Sequence, residues 1–140
     1  MIELPATRYL SLEAAKAMMT AAEAEARKNG WNVSIAICDA GGDLVHFSRF
    51  DDAHTASAKI AQGKARTAAR FRRPTKPIEE TINSGRTAFV TVDATDGLTP
   101  LEGGLPIVVG GRVVGGIGVS GVTSAQDAQI AAAGLAALGL

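Results

Sequence analysis

From Leu12 onward, apolar side chains return at Leu12, Ala15, Met18, Met19, Ala22 and Ala26, the three-and-four spacing of one helical stripe. Ser11 is placed to accept a backbone N–H at its start and Asn29-Gly30 supplies a left-handed stop, so the pattern predicts a first helix between them. At Trp31 the period falls to two. Val33, Ile35 and Ile37 share a face, Asp39-Ala40-Gly41-Gly42-Asp43 turns the chain, and LVHFSRF runs back, which predicts a hairpin.

Helical spacing resumes in TASAKIAQGKARTAARF, where Ile60, Lys64, Thr67 and Phe71 form one stripe, Asp52 is available as a cap and Arg72-Arg73-Pro74 ends the run. Thr75 is read as the cap of a shorter helix with Pro77 in its first turn, running to about Asn83 before Gly85. Thr87 to Val92 is read as a short strand, and Asp93 to Gly104 as a loop marked by Asp96-Gly97, Pro100 and Gly103-Gly104.

The segment GGLPIVVGGRVVGGIGVSG, Gly103 to Gly121, has the Val and Ile content of strands yet holds half of the chain's 16 glycines. Glycine weakens a strand, so its density here asks for a backbone, helix or ligand that must come close. Gly110-Gly111 is the two-residue turn of a second hairpin. Ser124 then opens a last helix to about Leu138, and Ser124 with Asp127 has capping-box spacing. Helices alternating with hairpins specify an α+β fold, an antiparallel sheet covered by helices in one domain.

Composition narrows the functions. The 140 residues suit one domain. With 14 Lys+Arg against 14 Asp+Glu there is no general attraction to nucleic acid. No apolar run reaches membrane-span length and the first residues carry no signal-peptide pattern, so a cytoplasmic protein without membrane contact is expected. The lone Cys38 forms no internal disulfide and no metal motif, and one Trp and one Tyr leave few rings for stacking.

Individual motifs carry limited chemistry. Gly116 to Gly121 matches GxGxxG formally, but the chain ends within the following helix and leaves no room for a dinucleotide-binding unit. Ser120 does not sit in a nucleophile elbow. Asp51, Asp52 and His54 are near one another, but their spacing is not diagnostic of a metal, and no metal is assigned. His54 is the better of the two histidines for proton transfer or haem ligation, ahead of His46. The run Lys59, Lys64, Arg66, Arg70, Arg72, Arg73 and Lys76 reads as a solvated face, except for Lys64, whose stripe should point it inward to a partner or an anion.

Taken together, CDAGGDLVHFSRFDDA, IAQGKARTAARF, the glycine-rich hairpin and QDAQIA resemble the GlcG/HbpS family, the haem-degrading domain family, over nearly the whole chain. The resemblance implies a profilin-like sheet and a homo-oligomer, commonly an octamer. It places a pocket among Arg49, Asp51, Lys64, Gly103, Gly104, Pro106, Ser120, Gly121 and Asp127, and a second subunit is one candidate for what approaches the glycines.

Two functions follow as expectations. In the first, the protein binds a small ligand, with haem or another tetrapyrrole as the candidate cofactor, His54 on the iron and Lys64 or Arg49 on a propionate. In the second, it is a small lyase or hydrolase acting on an organic or aromatic acid such as a hydroxylaminobenzoate. Arg49, Lys64 or Arg86 would hold the carboxylate there, while Asp127, Asp51 or His54 would move protons, with Lys64 counted in the catalytic set. A purely structural role for the hairpin is the third reading.

Overall fold

A computed structural model describes residues 1–140. Its elements run α1 (Leu12–Lys28), β1 (Ser34–Asp39), β2 (Leu44–Arg49), α2 (Ser57–Phe71), α3 (Thr75–Asn83), a 3₁₀ helix (Thr87–Val92), α4 (Asp93–Asp96), β3 (Gly104–Val109), β4 (Arg112–Ser120) and α5 (Ser124–Ala136). The strands form one sheet in the order β2-β1-β4-β3, and every pair is antiparallel. The fold is therefore α+β, as the alternation of helices and hairpins implies.

Period-two alternation decides what each face receives. Ile35, Ile37, Ile117 and Val119 point to the face covered by α1 and α5, where they join Met18, Met19, Ala22, Ile130 and Ala131 in the larger core. Ala36, Cys38, Gly116 and Gly118 point to the other face, where α2 lies on them with Ala61, Ala65 and Ala69. A Cβ on Gly118 would overlap the carbonyl oxygen of Ala61, and one on Gly116 that of Ala65. The glycines thus let a helix backbone rest on a sheet backbone, and α2 reciprocates with alanine. The neighbour they admit is this chain's own α2, not a second subunit.

Several local expectations change. Thr87–Val92 is a 3₁₀ helix and no strand, because nothing in the sheet pairs with it and Phe89 turns instead onto Phe71, centroids 5.9 Å apart. The loop that follows contains the short α4. No side chain caps α2, whose N-cap is Ala56, so Asp52 has no capping role. Pro74 precedes α3, and the Thr75 hydroxyl is buried and accepts from the Gly104 N–H at 2.9 Å. At α5 the capping box is Thr123 with Gln126, one position before the expected pair, which frees Asp127 to turn inward, and the helix ends at Ala136. The Ser11 cap and the Gly110-Gly111 turn, with φ of 56° and 77°, stand as read.

Candidate functional site at one end of the sheet

Antiparallel order brings the start of β1, the end of β2, the start of β3 and the end of β4 to the same end of the sheet. Arg49 and Ser120 both pair with Ser34, and Gly104 pairs with Gly118. Residues from 49 to 127 in sequence thereby share one end of the fold, together with the N-terminal ends of α2 and α5.

The centre of this region is a buried ion pair. Lys64 Nζ donates to Asp127 Oδ2 at 3.0 Å and to the Val119 carbonyl at 2.8 Å, and Asp127 Oδ1 accepts from the Val122 N–H at 3.2 Å. Burial pushes the Asp127 carboxyl above the ordinary carboxylate value, against the opposing pull of Lys64 and the Val122 N–H, and the charge of His54 reaches it as well. Gly103 closes the pair from the third side: φ is 128°, and a Cβ there would fall 2.8 Å from Lys64 Nζ and 3.0 Å from the Asp127 Cβ. Gly121 likewise takes φ of 143°, with Asn32 and Val33 backbone against it.

A second polar chain lies alongside. The Ser57 hydroxyl donates to the His54 carbonyl at 2.6 Å, which uses its only proton, so the Ser34 hydroxyl 2.8 Å away must donate to Ser57. This chain ties the first turn of α2 to the strand residue that faces both Arg49 and Ser120. The His54 imidazole and the Arg49 guanidinium remain exposed at the rim, and neither appears in a side-chain hydrogen bond or ion pair.

Of the sequence candidates, Lys64, Asp127, Gly103 and Ser120 are buried together, with Gly104 beside them and Gly121 following directly after Ser120. Arg49, Asp51 and His54 stand exposed on the segment that leads into α2, and Pro106 lies one strand position pair further along β3, opposite Gly116. Arg86 is not part of this site: its guanidinium sits 5.8 Å over Phe89, against Phe71, roughly 10 Å along α2 from Lys64. His46 pairs with Ile37 and so faces the α1 side of the sheet, away from α2. Cys38 is buried and its thiol is pushed up to about 12, so it supplies no nucleophile.

Sequence reading missed Ser34 and Ser57. The signal was a polar residue opening the apolar run VSIAI on the face opposite Val33, Ile35 and Ile37. Three cavities indent the surface, of about 190, 590 and 500 Å³, and Lys64, Asp127, Arg49 and His54 line none of them. No helix is long and apolar enough to cross a membrane.

Comparison with known proteins agrees with this architecture. The family described as "Haem degrading protein HbpS-like" matches residues 10–136. Protein GlcG of Escherichia coli K12 is 54% identical over 111 residues, 79% of this chain and 81% of that one. Among solved structures, a double mutant of HbpS from Streptomyces reticuli superimposes with TM-score 0.88 at 35% identity, covering 98% of this chain and 92% of that one. A structure titled as a PduOC:heme complex gives TM-score 0.86 at 27% identity, covering 93% and 95%.

Proposed function

Because the chain belongs to the HbpS-like family, we propose that it is a haem-binding protein that works as a homo-oligomer, an octamer in the form the family resemblance implies. The observation that carries the reading is that one end of the sheet exposes both the imidazole of His54 and the guanidinium of Arg49, neither engaged in a side-chain hydrogen bond or ion pair. Imidazole suits iron and a guanidinium suits a propionate. A related solved structure described as a haem complex supports it.

Of the two candidate propionate partners, Lys64 and Arg49, this reading takes Arg49. Lys64 is 2% exposed and already bonded to Asp127 and Val119, so using it would break a buried pair. The apolar walls a haem needs are not assembled around His54 in one chain, and a second subunit would supply them. The exposed Ile2 and Leu4 of the N-terminal segment offer apolar surface for such assembly.

A haemin titration followed at the Soret band tests the reading. Saturable binding that disappears in His54→Ala, and weakens about tenfold in Arg49→Ala, is expected. A featureless change that never saturates, or one unaltered in His54→Ala, overturns it.

The enzyme reading keeps one observation of its own, the buried Asp127 carboxyl whose proton affinity burial has raised. Turnover of a hydroxylamino or aromatic acid that vanishes in Asp127→Asn while the oligomer persists would favour a lyase.

A further inference from the structure

The opposite end of the sheet carries a second polar cluster. It gathers the N-terminal segment, the β1–β2 turn, the β3–β4 turn and the C-terminal end of α2. Measured along β4 from Arg112 to Ser120, it lies about 25 Å from the Lys64–Asp127 end. Two adjoining cavities of about 590 and 500 Å³ open there, and both are lined by Arg72, Arg112 and Val113. Arg8, Thr7 and Tyr9 complete the second.

Three features separate this cluster from an ordinary solvated face. First, the chain's cations and anions balance at 14 each, yet Arg8, Arg72 and Arg112 collect here and take no part in the ion pairs that hold Arg27, Arg66 and Arg70. The one carboxylate in the lining, Asp39, makes no ion pair with them, and its Oδ1 accepts from the N–H groups of Gly41 at 2.9 Å and Asp43 at 3.0 Å.

Second, the arginines come from three separate elements. Arg8 precedes α1, Arg72 follows α2 and Arg112 opens β4. Arg8 Nη1 lies 3.1 Å from where a Cβ on Gly110 would stand, which sets it over the β3–β4 turn beside Arg112. Compensation of the α2 dipole explains Arg70 and Arg72 but neither of the other two.

Third, Arg72 is the sole non-glycine residue with positive φ, at φ 56° and ψ 37°. It occupies the left-handed C-terminal position that glycine fills at least cost. Backbone strain of this kind gathers where a side chain has work to do, and here it carries a guanidinium into both cavities.

We propose that this basic pocket binds a small multivalent oxyanion, a phosphate ester or a di- or tricarboxylate, at a site separate from the His54 rim. Guanidinium groups grip both anion types through paired, charge-assisted hydrogen bonds. The Tyr9 hydroxyl is a further donor. Cavities of about 590 and 500 Å³ are of a size for a metabolite.

The test is calorimetric titration of the full chain with pyrophosphate and, separately, with citrate, at constant ionic strength. Saturable binding of either at one per chain is expected, and which of the two binds more tightly assigns phosphate ester or carboxylate. Arg112→Ala and Arg72→Gly should each weaken it about tenfold or more, while Lys16→Ala on exposed α1 leaves it unchanged. Arg72→Gly keeps the test clear of unfolding, since glycine suits the backbone there and the variant should melt no lower than the parent. Absence of saturable binding by both probes overturns the proposal, as does binding that survives both arginine substitutions. Because His54 is untouched, the outcome is independent of the haem titration.

Discussion

Nζ of Lys64, midway along α2, stands 3.0 Å from Oδ2 of Asp127, in the first turn of α5, with each side chain 3% exposed. The two helices lie on opposite faces of the sheet, so the pair passes around the end of β4, where Lys64 also holds the Val119 carbonyl. It fastens both layers at the end of the sheet where the candidate residues meet.

Removing one partner leaves the other charged and buried. Lys64→Met and Asp127→Leu should each cost about 3 to 5 kcal/mol in urea unfolding. The double variant should recover most of that loss, giving a coupling energy of about 1 to 3 kcal/mol. Strict additivity of the two single variants would show that the pair fastens nothing.

Asp127 and Asp96 should respond to pH in opposite senses. Burial raises the Asp127 carboxyl above its ordinary value, so its contribution to stability is fully present below about 3.8 and declines as pH rises through its folded value. Hydrogen bonding from Arg70 lowers Asp96, whose contribution is present above its ordinary value and lost as pH falls. Carboxyl chemical shifts followed by NMR should therefore place the Asp127 midpoint above 3.8 and the Asp96 midpoint below it. Reversal of that order would contradict the geometry of both sites.

Gly118 should tolerate no side chain. Its Cβ would overlap the Ala61 carbonyl and crowd the Ala65 N–H and the Lys64 Cβ, so Gly118→Ala should cost about 1 to 3 kcal/mol and Gly118→Val more. Gly41→Ala, whose Cβ would meet nothing closer than Asp39 at 3.4 Å, should stay within about 0.5 kcal/mol of the parent. Equal thermal shifts in Gly118→Ala and Gly41→Ala would mean that α2 does not rest on β4.

The sequence by itself determined most elements that build this fold: α1, the first hairpin and α2 follow from spacings of three-to-four or two, the second hairpin from its Val and Ile content and the Gly110-Gly111 turn, and α5 from the capping signal at its start. It also determined that Lys64 turns inward, because a helical stripe carries its members to the same side whatever their charge. Residue chemistry marked His54 and Asp127 as candidates, since charge and imidazole are local properties, and the family resemblance added Arg49.

Tertiary structure decided what these groups meet. Thr87–Val92 has strand-forming residues but no strand to pair with, and sheet formation depends on a distant partner that composition does not reveal. Asp127 has the spacing of a cap, yet Thr123 takes that task and Asp127 goes to a lysine 63 positions away. The Ser34–Ser57 bond and the gathering of Arg8, Arg72 and Arg112 likewise join residues remote in sequence. Local spacing fixes the direction in which a side chain leaves the backbone, whereas its partner depends on how the layers stack, a property of the whole chain.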